Sequence, residues 1–564
     1  MTPTTKRWQI APRISPETER ELHGYPTILR QILYNRGYAT HEAARRYLEG
    51  KQPPGTEPAN LCGLPEAVDR LRRAIQQHEK IAIYGDYDVD GVTATALLVL
   101  YLRSLGADAE GYIPNRFDEG YGLNIGAIKR LKDQGVNLVI TVDCGIRSLE
   151  EADYARSLGL DLIISDHHHP GAELPNALAI IDPKQPGDTY PEKDLAGVGL
   201  AYKLAAGLSA HPEGLNIPTD DLLDLVALGT VADLVPLVGE NRFLVREGLQ
   251  RIRCPRRQGL MALIGVAGLK PGEITATDIG FALGPRLNAA GRMDSALTAL
   301  KLLSTQNVLE AGQLAQQLEI QNRERQKITR GIQARAEELA ILDDPDSLLL
   351  FAAHPDFNPG VVGLAASRLA DQYYRPAIVG QIGDEFTRAS CRSISEFHIT
   401  AALDQCADLL KYHGGHAAAA GFTIRNENVP ELIERLKAIA SEQLSELDLR
   451  PTINADVEVS LSELKPEVLE HLQWMQPTGY GNPGAIFASR GLKVTSSKTV
   501  GKESDHLKFT VSDGWFTFDA IAFRQGHWQT QMPKRVDLMY AFEVNEFGGR
   551  KTLQLNVRDI RPSS

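Results

Sequence analysis

The stretch IAIYGDYDVDGVTATALLVLYLRSLG, Ile81 to Gly106, decides the fold. Its apolar run Ile81-Ala82-Ile83 leads into Asp86, Asp88 and Asp90 at alternate positions, and beyond Gly91 comes an apolar segment of helical length. That is a short strand, an acidic turn and a helix. The same grammar returns downstream in NLVITVD, SLEEADYARSLG, LDLIISD and ALAIID. Strands alternating with helical segments predict a mostly parallel α/β sheet.

Three of these strands end in carboxylates: Asp86, Asp143 and Asp166. Functional groups of parallel sheets gather at the carboxyl ends of the strands, so all three aim at one crevice. Asp166 continues into His167-His168-His169. Carboxylates mixed with imidazole are the ligand set of a divalent metal, and the histidines favour Mn²⁺ over a purely oxygen-ligated Mg²⁺. A single aspartate after a strand is ordinarily a helix cap or turn residue. Three together, beside a histidine run, favour the cation site. A calcium loop is excluded, because the glutamate it needs at its twelfth position, counted from Asp86, is Leu97. Asp233 lies in the apolar stretch VALGTVADLVPL, where a buried carboxylate without a partner is costly; a cation or a local cap would satisfy it.

The rest of the chain divides by pattern. Residues 1–60 read as a helical lead-in closed by QPPGTEP, and 61–305 as the first α/β domain, mainly helical after residue 220. Residues 306–342 carry no proline, and Leu314, Leu318, Ile328, Ile332 and Leu339 share one helical side, which predicts a long connecting helix. A second α/β domain follows at 343–448, and 449–564 alternates in the manner of a small β-barrel. The predicted architecture is therefore two α/β domains joined by a long helix, plus a barrel.

Of 564 residues, 43% are hydrophobic and 23% charged, ordinary for a soluble globular protein, and no apolar run is long enough to span a bilayer. The amino-terminal residues lack the apolar core of a secretory signal, so a cytoplasmic location is expected. The five cysteines form no CxxC pair, which argues against a disulfide framework or a structural zinc site. A net charge of −12 confines any polyanion site to a local basic groove. In the carboxy-terminal region Phe509, Trp515, Phe516, Phe518, Phe523 and Trp528 lie among Lys498, Lys502, Lys508 and Arg524, the ingredients of a base-stacking platform, although most aromatics of a small barrel belong to its core.

DYDVDG, VDCG, SDHHHP and GTVADLVPL resemble, in order, the four motifs of the DHH phosphoesterase superfamily, named after the triplet present here as Asp166-His167-His168. GPRLNAAGR (284–292), HPDFNPGVVGLAASRL (354–369) and YHGGHAAAAGF (412–422) narrow the resemblance to the bacterial RecJ group of single-strand-specific DNA exonucleases, over about residues 60–560. The resemblance implies a DHH domain, a DHHA1 domain that holds the nucleic acid, and an OB-type barrel. It implies two divalent ions, Mn²⁺ or Mg²⁺, on Asp88, Asp90, Asp143, His167 and Asp233. Asp143 would bridge them. Asp86, His168 and Arg286 are then expected to act at the scissile phosphate, and Asp166 to orient an imidazole. His354, Asn358, Arg388, Ser390 and Arg392 are expected to grip phosphates, with Gly414, Gly415 and His416 presenting backbone N–H groups at a helix N-terminus. The activity implied is stepwise 5′ to 3′ hydrolysis of single-stranded DNA to 5′-mononucleotides in repair and recombination. A monomer is expected, with a single-strand-binding protein and a helicase as companions and no membrane association. The competing readings are a phosphodiesterase or pyrophosphatase for small phosphoesters, and a non-catalytic DNA-binding scaffold; the scaffold predicts missing metal ligands, and none is missing.

Overall fold

The protein is described from a computed structural model, over residues 6–116, 119–120, 122–211, 217–547 and 549–563. Its backbone forms two compact units, residues 9–318 with 454–564, and residues 319–453 with the amino-terminal 6–8.

The first unit is built on the predicted sheet. Strands β1 (Lys80–Gly85), β2 (Asp108–Tyr112), β3 (Leu138–Val142), β4 (Asp161–Ser165) and β5 (Ala179–Ile181) run parallel in the order β2-β1-β3-β4-β5. Both faces are covered. Ile81, Ile83, Leu138, Ile140 and Ile163 enter one apolar core, while Ala82, Tyr84, Val139, Leu162 and Ile164 enter the other. That is why these strands read as continuous apolar runs rather than as alternation. Helix α1 (Val89–Ser104) is apolar around nearly its whole circumference because it is buried beneath α2 (Gly197–Ala210) and α3 (Leu223–Ala232).

Register aligns the strand ends. Gly85 faces Val142, Val142 faces Ser165, and Ser165 faces Ile181. The residues that follow are Asp86, Asp143, Asp166 and Asp182, so a one-dimensional repeat in the sequence becomes a row of carboxylates. Two glycines admit them: a Cβ on Gly91 would lie 2.5 Å from the Asp86 backbone, and one on Gly197 would lie 2.8 Å from Asp143 Cβ. Helix α4 (Gly284–Met293) follows one turn of π-helix, Ile279–Leu283. The long helix α5 (Val308–Asp343) divides its apolar side, with Ala311, Ala315 and Leu318 in the core of this unit and Ile332, Ala336 and Ala340 in that of the other.

In the other unit, β6 (Leu350–His354) pairs in parallel with β7 (Ala377–Ile382), and β8 (Phe386–Arg392), β9 (Leu410–His416) and β10 (Ala419–Arg425) add antiparallel strands in the order β9-β10-β8-β7-β6. Helix α6 (Val362–Tyr373) packs on β7 and β8, and α7 (Val429–Leu444) follows the sheet. One expectation is corrected here. Gly414, Gly415 and His416 do not precede a helix; they end β9, and His416 pairs with Ala419 across a tight turn. The alanine-rich run has helical propensity, but pairing of β10 with β8, Ala419 against Arg392, overrides it.

The barrel closes through β11 (Phe487–Val500), β12 (His506–Ser512), β13 (Thr517–Ala522), β14 (Arg535–Phe547) and β15 (Arg550–Pro562), since β11 pairs with both β12 and β14. Leu29, Ile32, Leu33, Ala44 and Tyr47 from the amino-terminal helices share its core. Of the six singled-out aromatics, Phe509 and Phe518 are buried and Trp528 packs against the core, whereas Trp515, Phe516 and Phe523 are exposed. The exposed three do not form one platform. Trp515 and Phe516 sit in the turn before β13, and Phe523 follows its far end against His506.

Candidate metal centre

Each ligand candidate is held by a different local device. Asp88 is the N-cap of α1, its Oδ1 accepting from the backbone N–H of Asp90 at 2.9 Å and of Gly91 at 3.1 Å. Cap and ligand are thus compatible, because one oxygen suffices for the cap. Asp90 accepts from the first amides of α2, Gly197 N–H to Oδ2 at 2.6 Å and Val198 N–H to Oδ1 at 2.8 Å, where the helix dipole favours an anion. Asp143 takes φ +63°, left-handed backbone that is uncommon for a residue with a Cβ and recurs at functional sites.

These devices bring the side chains together. Ligand atoms of Asp86, Asp88 and Asp143 lie within 4.8 Å of one another, as do those of Asp90, His167 and Asp233, and those of Asp143, His167 and His168. His167 Nε2 is 3.0 Å from Asp143 Oδ1, 3.6 Å from Asp233 Oδ2 and 3.8 Å from Asp90 Oδ2. Asp143 therefore belongs to both an all-carboxylate group and a histidine-containing one. Asp86 Oδ1 is buried without a hydrogen-bond partner, the state of a ligand oxygen whose natural partner is a cation.

The titration behaviour follows from this crowding. Burial, then the charge of Asp88, holds Asp86 well above the usual carboxylate range and pushes Asp90 up to about 7. Burial and then Asp90 raise Asp143 in the same direction, and burial with Asp90 and Asp88 pushes Asp233 up to about 9. His167 moves the other way, down to about 3, through burial and the neighbouring His168. A carboxyl that keeps its proton can donate to a neutral imidazole, so Asp143 and His167 pair without charge in the metal-free protein. Divalent cations reverse the balance, since they favour ionised carboxylates and neutral histidine. The residues fit two such ions.

Asp166 stands apart. Its Oδ1 accepts from the backbone N–H of His167 at 2.8 Å and of His168 at 3.2 Å and from His168 Nδ1–H at 2.7 Å, while Oδ2 accepts from Ile146 N–H at 2.9 Å. Burial, the largest single influence, opposes its ionisation, but the His168 hydrogen bond and charge, the Ile146 amide and the charge of His167 together outweigh it and lower the pKa. For His168 burial is again the largest single influence, but Asp166 together with the charges of Asp88 and Asp86 outweighs it, and the pKa is raised.

Arg286 lies on α4, its Nη1–H donating to Ala282 O at 2.8 Å. His354 ends β6 and Asn358 Oδ1 accepts from Gly360 N–H at 2.8 Å. Arg388, Ser390 and Arg392 alternate on one face of β8, and register places Thr423, Gly421 and Ala419 beside them, then Tyr412, Gly414 and His416. The phosphate-grip candidates of β8 and β9 other than Gly415 thus share a sheet face. Two residues escaped the sequence reading. Asp182 follows β5 as Asp166 follows β4; burial pushes it up to about 7 and its Oδ2 is unpartnered. Lys184 Nζ donates to His167 O at 2.7 Å, fixing the backbone behind the ligand. The signal for Asp182 was available, because ALAIID ends like its neighbours.

Family models match residues 80–230 (DHH family, N-terminal domain), 346–442 (DHHA1 domain) and 455–559 (RecJ OB domain). The chain is 40% identical to the single-stranded-DNA-specific exonuclease RecJ of Bacillus subtilis over 99% of its own length and 71% of the relative, and 37% identical to that of Salmonella typhimurium over 98% and 99%. The crystal structure of RecJ in complex with Mn²⁺ from Thermus thermophilus superimposes with a TM-score of 0.85 at 29% identity, covering 99% of this chain and 80% of that one. A crystal structure of exonuclease RecJ bound to manganese has a TM-score of 0.61 at 34% identity, over 69% and 98%.

Proposed function

We propose, since this chain belongs to the RecJ family, that it is a metal-dependent exonuclease that hydrolyses single-stranded DNA stepwise from the 5′ end to 5′-mononucleotides. The observation that carries the reading is the pair of ligand groups joined at Asp143. In this reading Asp86, Asp88 and Asp143 hold one divalent ion, Asp90, Asp143, His167 and Asp233 the other, Mn²⁺ or Mg²⁺. Two ions so held would supply a nucleophilic hydroxide near neutral pH and would neutralise charge on the attacking and leaving oxygens of an in-line displacement at phosphorus.

The chain's own groups do the rest. Asp166 keeps the Nδ1 proton of His168 in place and raises the basicity of the ring, so that at neutral pH a proton at Nε2 is available to a phosphate oxygen or the departing 3′-oxygen. The amides of Gly197 and Val198 fix Asp90, and the α1 cap fixes Asp88, so neither carboxylate has to reorganise when charge shifts at phosphorus. We assign Arg286, His354, Asn358, Arg388, Ser390, Arg392, Gly414, Gly415 and His416 to the DNA phosphates; the shared sheet face supports this for most of the β8 and β9 residues. A monomer in the cytoplasm, meeting a single-strand-binding protein and a helicase, completes the proposal; no helix among the described residues is long and apolar enough to cross a membrane.

The test is digestion of 5′-labelled and 3′-labelled single strands and duplexes with Mn²⁺, Mg²⁺ or chelator. Metal-dependent release of labelled mononucleotide from the 5′ end of single strands alone is expected. Release only from 3′ ends, or equal cleavage with chelator, would overturn the assignment.

A further inference from the structure

Two features near the end of α3 are physically unfavourable and unused by the chemistry above. Leu234, the next residue, is 67% exposed and takes φ +62°, the left-handed backbone normally left to glycine or asparagine after a helix. An apolar side chain in water and a strained backbone coincide at one residue. Phe281 is 85% exposed and sits in the single π-helical turn among the described residues, Ile279–Leu283. Such turns are rare and frequently mark functional sites. The two features share a seam, because a Cβ on Gly280 would lie 3.8 Å from Val231 Cγ1 and one on Gly284 would lie 3.4 Å from Ala232 Cβ. The π-turn therefore packs along the end of α3, the end from which Asp233 enters the metal centre.

We propose that Leu234 and Phe281 form an apolar clamp for a nucleobase adjoining the scissile phosphate. This rests on the nuclease reading and deepens it. A base offers a flat apolar face, an aromatic ring is its best stacking partner, and stacking is indifferent to base identity, as a non-sequence-specific nuclease requires. A base held there fixes the sugar–phosphate next to it against the cluster that contains Asp233. The clamp would also select for unpaired strands, because a base stacked inside a duplex cannot offer its face.

The experiment compares wild type, Phe281→Ala, Phe281→Trp and Leu234→Ala on single strands with normal bases and on the same strands with abasic sites at the terminal positions. Wild-type degradation of the normal strand tests the nuclease reading by itself. Expected for Phe281→Ala is a roughly 5- to 100-fold lower kcat/KM on the normal strand, carried mainly by KM, and little change on the abasic strand. Phe281→Trp should retain activity, and all variants should keep wild-type stabilisation by Mn²⁺. Leu234→Ala should show a smaller loss in the same direction. If Phe281→Ala loses equally on both strands, or on neither while wild type is active, the clamp is refuted and the nuclease reading stands.

Discussion

Raising the pH from 6.5 to 8.5 should destabilise the metal-free protein, and Mn²⁺ should remove that loss. Asp233, pushed up to about 9, keeps its proton through most of this interval, whereas in the unfolded chain, with an ordinary value of 3.8, it is fully ionised. The folded state then binds more protons than the unfolded one, so stability falls as pH rises toward the folded pKa. At about 1.4 kcal/mol per pH unit, two units cost ~3 kcal/mol from this one mostly buried group. Asp90, at about 7, adds less than 1 kcal/mol within the interval, having lost most of its share below it. His168, also raised, acts in the same direction, while His167, lowered to about 3, works the other way only below about pH 6.5, which is why the interval starts there. Melting temperature for a unit of this size moves by on the order of 1 °C per kcal/mol, so a drop of at least about 3 °C is expected in chelator, Asp86 and Asp143 adding to it in the same direction. Saturating Mn²⁺ should raise both values and raise the one at pH 8.5 more; at 100 times Kd each site contributes about 2.7 kcal/mol. Scanning calorimetry at both pH values, with chelator and with Mn²⁺, reads the double difference. A difference between chelated and Mn²⁺-loaded protein that is the same at both pH values would refute the account of the carboxylates.

Asp143→Asn should abolish Mn²⁺-dependent nucleotide release and make the fall of melting temperature with pH in chelator shallower, because the amide cannot ionise; an unchanged slope would count against burial and Asp90 as the cause of the raised pKa. Asp166→Asn should cost roughly 10- to 100-fold in kcat through disorientation of His168, and should move the alkaline limb of the pH–rate profile to lower pH, since the carboxylate that raises His168 is gone. Gly197→Ala should weaken Mn²⁺ stabilisation in thermal melts, since the added Cβ would lie 2.8 Å from Asp143 Cβ. Phe509→Ala in the barrel core should cost about 3–5 kcal/mol in denaturant unfolding, whereas Trp515→Ala, at a residue 92% exposed, should stay within about 0.5 kcal/mol.

What could be read from the sequence, and what could not, follows the range of the interactions. A strand that ends in aspartate is a local signal, and the parallel register of β1, β3 and β4 is enough to turn three such signals into one site. The long helix was equally legible, since periodicity is local. The end of β9 was not: nothing within GGHAAAAG announces that Ala419 will pair with Arg392. Nor does any segment of the amino-terminal helices announce that Leu29 and Ile32 will complete a barrel core more than four hundred residues away. Leu234 was invisible for a different reason, because its anomaly lies in a backbone angle and an exposure rather than in a residue type.

The row of carboxylates shows why position alone does not assign a role. Asp86, Asp143, Asp166 and Asp182 occupy equivalent places after adjoining strands. Asp166 receives four hydrogen bonds from the protein, three of them on Oδ1, its pKa is depressed, and it belongs to none of the three ligand groups, so it serves as an anchor for His168. Asp86 keeps an unpartnered buried oxygen and a raised pKa, as does Asp182. Only Asp86, however, has two further carboxylates within coordination range. Unmet bonding capacity and converging partners are separate requirements, and a metal ligand needs both. By that criterion replacing Asp86 should weaken Mn²⁺ binding, and replacing Asp182 should leave it intact.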